Sequence, residues 1–126
     1  MRAPDIAVAG GDEISRVSHP VGARVTALDW RAMASALDTQ GCATSGPLPL
    51  LTPDECQTLA ECYAVDRLFR SRVVMARHGF GRGEYKYFAD PLPEIVLALR
   101  RALYPRLAAI ANRWNAATGV PDQYPY

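Results

Sequence analysis

The chain has 126 residues, 49% of them hydrophobic, and a net charge of +1. That length suits one domain with one core, burying roughly two thirds of the surface its unfolded chain exposes, while the near-zero charge singles out no partner class. No apolar run approaches the ~18 residues of a membrane span, and Pro4, Asp5, Gly10, Gly11, Asp12 and Glu13 break up any signal-peptide core.

The charges are unevenly distributed. Residues 1 to 66 carry four Arg against nine Asp and Glu, whereas residues 67 to 126 carry ten Lys and Arg against four acids. Three cysteines, Cys42, Cys56 and Cys62, form an odd set. They are expected to be plain buried or half-buried thiols in a reducing, cytoplasmic setting. Cys56 and Cys62 are six positions apart, which does not put them on one helical face, so metal binding is not expected of them.

Residues 1 to 27 mix Pro4, Gly10, Gly11, Pro20 and Gly22 with scattered charges. They read as a flexible N-terminal tail with weak β character at Ala23 to Leu28. The first firm element is a helix capped by Asp29, with Trp30, Met33, Ala34 and Leu37 on one face and Gly41 as its stop. Gly46, Pro47 and Pro49 mark a connector, with an edge strand expected around Cys42 to Thr44. A second helix starts at Thr52, Pro53, Asp54 and Glu55, a capping box. Its Cys56, Leu59, Ala60 and Tyr63 are spaced to pack inward.

The central stretch, Arg70 to Phe88, holds two strand-like runs, Val73 to Ala76 and Glu84 to Phe88, around glycines at 79, 81 and 83. It is predicted to be a hairpin. Asp90 to Glu94 reads as a cap and helix start, followed by the apolar stripe Ile95, Val96, Leu99 and Leu103. Pro105 predicts a kink or two abutting helices before Leu107, Ile110, Ala111 and Trp114, which end near Gly119.

Few residues carry obvious chemistry. His19 and His78 are the only histidines, and no His-x-Asp or His-x-x-x-His pair accompanies either. His78 is read as structural or substrate-adjacent, not as a metal ligand. Gly79 to Gly83 matches neither a dinucleotide fingerprint nor a P-loop, and reads as a hairpin loop. Arg67, Arg70, Arg72, Arg77, Arg82 and Lys86 interleave with Tyr85, Tyr87 and Phe88. Cations can neutralise phosphates and exposed rings can stack on unpaired bases, although a solvated sheet face has the same composition. Strand alternation puts Arg70 and Arg72 on one face and Tyr85 and Tyr87 together on another. Glu84 is the one acid in the stretch, with Arg82 and Lys86 as its expected neighbours. No pair of acids forms a catalytic dyad.

Four segments stand out together: Phe69 to Phe88, Pro91-Leu92-Pro93, Leu103-Tyr104-Pro105-Arg106-Leu107 and Ala111-Asn112-Arg113-Trp114-Asn115. They resemble the N-terminal half of a bacterial family of 2-oxoglutarate and Fe(II)-dependent oxygenases in the prolyl-hydroxylase-like group. The resemblance, which runs from about Gly41 to Tyr126, implies an α+β fold with helices packed on a short antiparallel hairpin. This would be the N-terminal part of a double-stranded β-helix (jelly-roll) domain, spanning 28 to 126 and truncated before its core. It implies oxidative repair of damaged DNA, by hydroxylation or oxidative demethylation, with Fe(II) and 2-oxoglutarate as cofactors of the complete enzyme.

Iron in that family is held by a His-x-Asp pair and a distal His. This sequence has neither, so the resemblance assigns no catalytic or metal-binding residue here, and the chain alone is expected to hold no cofactor and to be inactive. Tyr85 and Tyr87 are the candidates to line the cofactor pocket of the complete enzyme. Arg72, Arg77, His78, Arg82 and Lys86 are the candidates for substrate binding. The partners implied are the missing C-terminal barrel portion and damaged DNA or a protein substrate, with no membrane. Helix faces such as Leu99, Leu103 and Leu107 would self-associate if left uncovered. The alternative is a small non-enzymatic α+β module that uses the basic, aromatic hairpin to bind nucleic acid or protein.

Overall fold

A computed structural model of the protein describes residues 19–47 and 49–126. It is α+β: four helices and one two-stranded antiparallel hairpin among the described residues. The helices are α1 (Val21–Thr26), α2 (Trp30–Gln40), α3 (Pro53–Cys62) and α4 (Glu94–Thr118), and the strands are β1 (Phe69–Val74) and β2 (Glu84–Phe88). Short 3₁₀ turns occupy Asp66–Leu68 and Met75–His78.

Local signals in the sequence set α2 and α3. The Asp29 carboxylate accepts from the Ala32 backbone N–H at 2.9 Å, and Gly41 closes α2 in the left-handed region at φ 74°. In α3 the Thr52 hydroxyl accepts from the Glu55 N–H at 3.2 Å, and the Glu55 carboxylate accepts from the Thr52 N–H at 2.8 Å. This is the capping box, with Pro53 in the first turn. No residue of α3 is buried, however, so the face spaced to pack inward stays largely in solvent. Cys42 and Cys56 are exposed, and only Cys62 is half-buried.

Four expectations fail. Most of the expected N-terminal tail lies outside the described residues, but Val21–Thr26 is a helix and not a strand or tail. α1 packs against α4, and Val25 is the most deeply buried large side chain, 1% exposed. Residues Cys42 to Thr44 form no strand. The last helix starts at Glu94 with Pro93 at its N-cap and no side-chain cap, so Asp90 does not cap it. Nor does Pro105 divide it: α4 runs unbroken from Glu94 to Thr118. A proline inside a helix costs about 3 kcal/mol. Here it is flanked on both sides by segments rich in Ala, Leu and Arg, which favour helix strongly enough to absorb that cost.

The buried core is small. Val21, Val25, Ala108, Ile110 and Asn112 are the buried residues among those described. Around it, polar pairs fasten the helices. The Arg24 guanidinium, 9% exposed, grips Glu55 at 2.5 and 2.9 Å and the Leu50 carbonyl at 2.7 Å, linking α1 to the start of α3. The Glu55 carboxyl is thereby held below its ordinary range, chiefly by the Arg24 hydrogen bond. The Trp30 indole donates to the Val25 carbonyl at 2.8 Å, with Arg106 over its ring. Asp38 of α2 accepts from Arg113 and from the Trp114 indole of α4. Beyond α4 the extended segment 120–126 is held by two side chains. Asn112 donates to the Tyr124 carbonyl at 3.0 Å and accepts from its N–H at 2.7 Å, while Asn115 donates to the Asp122 carbonyl.

Candidate nucleic-acid interface

The hairpin has two chemically different faces, and a bulge sorts them. β1 and β2 pair as Phe69 with Phe88, Ser71 with Tyr87, Arg72 with Lys86, Val73 with Tyr85 and Val74 with Glu84, with an irregularity between Phe69 and Ser71. The extra residue is Arg70. In an unbroken strand Arg70 and Arg72 would share a face, but the bulge re-aims the former. Arg70 lies 5.6 Å from the centroid of the Tyr87 ring, while Arg72 bonds Glu84 on the other side of the sheet.

The first face is a closed network. Phe69 stacks on Phe88 at 4.7 Å between centroids, and Tyr63, just past α3, meets Phe69 edge-on at 6.1 Å. Into this aromatic corner the Lys86 side chain is folded, 7% exposed, with its Nζ 4.4 Å from the Tyr63 ring and 5.0 Å from the Phe69 ring. Its three donors are used well: Nζ donates to the Asp66 carboxylate at 2.9 Å and to the Tyr63 carbonyl at 2.8 Å, with the rings providing the rest of its shell. The Lys86 hydrogen bond lowers the Asp66 carboxyl below its usual range. Glu84 accepts from the Tyr63 hydroxyl at 2.8 Å and from Arg72, and both bonds hold its carboxyl low, while the carboxylate in turn pushes the Tyr63 hydroxyl up. Glu84 therefore neighbours Tyr63 and Arg72, not Arg82 and Lys86 as its sequence position suggested. The network engages two candidate substrate-binding cations, Lys86 with its side chain 7% exposed and Arg72 with its side chain still 60% exposed.

The second face is open. Tyr85 and Tyr87 do share it, their rings edge-to-face at 5.5 Å between centroids and nearly half exposed. Arg70 leans on Tyr87, and this face carries no carboxylate, because the hairpin's one acid, Glu84, is on the other. Arg67, Arg70, Arg77 and Arg82 make no ion pair among the described residues. Arg77 and His78 are exposed and sit in the 3₁₀ turn Met75–His78 that follows β1, so the expected strand run Val73 to Ala76 ends at Val74.

The turn and the glycine loop are pinned at their base. Gly79 takes the left-handed conformation at φ 72° and ends the 3₁₀ turn. The Phe80 N–H donates to the Met75 carbonyl at 3.2 Å, and the Met75 N–H to the Gly83 carbonyl at 3.0 Å. Between these bonds Phe80 projects outward.

The structure brings Arg70, Tyr85 and Tyr87 onto one surface and leaves Arg77, His78 and Arg82 exposed around the loop. It folds Lys86 inward and pairs Arg72, whose side chain stays 60% exposed, with Glu84. Arg70, Tyr63 and Asp66 were not singled out as site residues in the sequence. The dense arginines gave a signal for the first, but nothing local announced that Tyr63 and Asp66 fold over β2. Among the described residues no group of three or more His, Cys, Asp or Glu is arranged to hold a metal, so this donor set does not fit an iron centre. A depression of about 500 Å³ between α2 and residues 42–47 is lined by Asp29, Met33, Gln40, Cys42 and small residues. It has no cation to receive an oxo-acid. A smaller one of about 220 Å³ at the bulge is lined by Asp66, Phe69, Arg70, Ser71, Arg72 and Lys86.

Residues 83–126, which comprise β2, α4 and the extended segment, match the model of a family of oxygenases described as catalysing oxidative methylation of damaged DNA. That is roughly a third of the chain. No curated protein and no solved structure matches it. No helix among the described residues is long and apolar enough to cross a membrane.

Proposed function

We propose that this chain is the N-terminal portion of a 2-oxoglutarate- and Fe(II)-dependent oxygenase that acts on damaged DNA, and that it supplies the DNA-contacting hairpin and not the iron site. The single observation that carries this reading is the match of 83–126 to an oxygenase family directed at damaged DNA. Two features support it. The hairpin carries unpaired arginines and exposed tyrosines on a face free of carboxylate, the surface chemistry that neutralises phosphates and stacks bases. And α4 leaves Tyr104, Leu107 and Trp114 about two-fifths exposed, an apolar surface suited to the jelly-roll barrel that such an enzyme needs.

On this reading Arg70, Arg77, Arg82 and His78 contact the nucleic acid. Tyr85 and Tyr87 stand at its bases or at the mouth of the cofactor pocket. Arg72 and Lys86 act indirectly, by fixing β2. Fe(II), if held by the rest of the complete enzyme, would supply the oxidising chemistry, and no residue described here is assigned to that step.

The test is to express the chain in frame with the downstream sequence of its gene and supply Fe(II), 2-oxoglutarate and a methylated oligonucleotide. Succinate formation that depends on the oligonucleotide supports the reading, and its absence across iron loadings defeats it. The 126-residue chain alone is expected to self-associate through α4 in size-exclusion chromatography, and a compact monomer with sharp thermal unfolding counts against an uncovered face. A second reading, a non-enzymatic nucleic-acid-binding module, draws on the unpaired arginines. It is favoured if the chain binds DNA while the extended protein makes no succinate.

A further inference from the structure

Phe80 is 73% exposed, and among the described large hydrophobic residues only Tyr126 is more so. Backbone bonds define where it stands. The backbone hydrogen bonds of Phe80 to Met75 and of Met75 to Gly83 fix the loop at its base, and the glycines on either side hold left-handed conformations at φ 72° and 91°. The loop also stands clear of the rest of the molecule, since a Cβ placed at Gly79, Gly81 or Gly83 would meet nothing within 4 Å. No other part of the described chain covers the ring, so the loop, hydrogen-bonded at its base, presents an aromatic side chain outward.

The charges around it select what it meets. Residues 67–83 contain Arg67, Arg70, Arg72, Arg77 and Arg82 and no acid. Arg77 and Arg82, which flank the ring three positions before and two after, are exposed and make no ion pair among the described residues. An apolar plate between two free guanidinium groups is complementary to a polyanion with apolar slots along its length. Stacked base pairs between two phosphate backbones provide such a surface, and apolar side chains that enter base steps unstack and kink the duplex.

We infer that Phe80 is a wedge that inserts between base pairs of duplex DNA, with Arg77 and Arg82 bonding the phosphates beside the opened step. This deepens the nucleic-acid reading above and rests on it. An enzyme that works on a base must first take it out of the stack, and a ring filling the vacated space lowers the cost of doing so. Insertion is physical, with no bond made or broken.

The experiment uses the 126-residue chain and a DNA duplex with one 2-aminopurine beside a mismatch, read in parallel by fluorescence anisotropy for binding and by 2-aminopurine emission for unstacking. The expected result is binding with an emission rise of about threefold or more as the base leaves the stack. Phe80→Ala should keep affinity within about threefold yet lose the rise, and Phe80→Trp should retain it. Because the Phe80 ring is solvent-exposed, neither variant threatens the fold, and circular dichroism checks this. Binding without an emission rise, or a rise that survives Phe80→Ala, overturns the wedge and leaves the DNA reading standing. No binding to duplex at low salt overturns both, and capture of a protein instead of DNA does the same.

Discussion

Salt dependence of DNA binding turns the hairpin geometry into a number. Six cations stand between residues 67 and 86: Arg67, Arg70, Arg72, Arg77, Arg82 and Lys86. If all six met phosphates of a duplex, log K would fall against log salt with a slope of about −5.4, at about −0.9 per phosphate. The structure engages two of them in contacts of their own, Lys86 with its side chain buried and Arg72 in an exposed ion pair. Arg72 is bound to Glu84, and Lys86 is folded against Tyr63 and Phe69 with Asp66 on its ammonium. The remaining four set a ceiling of about −3.6, which corresponds to a loss of about 150-fold in affinity between 50 and 200 mM salt, against about 2000-fold for six. Arg82→Ala should bring the slope to about −2.7 and weaken binding to unrelated sequences equally, because a phosphate contact carries no sequence information. Fluorescence anisotropy with a labelled duplex at four or five salt concentrations measures it. A slope near −5.4 would show that the Lys86 and Arg72 networks open on binding. A slope near zero, or one unmoved by Arg82→Ala, would refute phosphate contact by this hairpin.

Two stability predictions test the supporting structure. Glu55→Gln keeps an acceptor for the Thr52 N–H but takes the charge from a largely buried Arg24, whose Nε already lacks a partner, and should cost about 1–2 kcal/mol in urea denaturation at neutral pH. Because the folded Glu55 carboxyl lies below its ordinary value of 4.5, its contribution is complete above that pH and is lost as pH falls through the folded value. The gap between wild type and Glu55→Gln should therefore narrow on acidification, and a gap that widens would contradict the pairing. Asn112→Ala removes both hydrogen bonds to Tyr124 and should cost about 1–2 kcal/mol. Much faster amide exchange at Tyr124, with α2 unaffected, is the signature, and unchanged exchange would show that the segment is held by something else.

The elements that could be read in the sequence are those whose information is local. Asp29 with Gly41 bounds α2, Thr52 with Glu55 starts α3, and β2 occupies Glu84–Phe88, because caps, alternation and glycine stops act within a few residues of the bonds they form. Gly119 likewise ends α4. The pairing of Tyr85 with Tyr87 follows from alternation alone.

Only the tertiary structure decided the rest, because those outcomes depend on partners far away in the chain. Val21 to Thr26 carries no helix signal of its own and is helical where it packs on α4. The bulge at Arg70 reverses the face that strand periodicity assigns to that side chain, and whether an arginine is free or spent was settled by Glu84, Tyr63 and Asp66 folding across β2. Sequence composition counts charges; which of them can still reach a phosphate is fixed by contacts between residues more than ten positions apart.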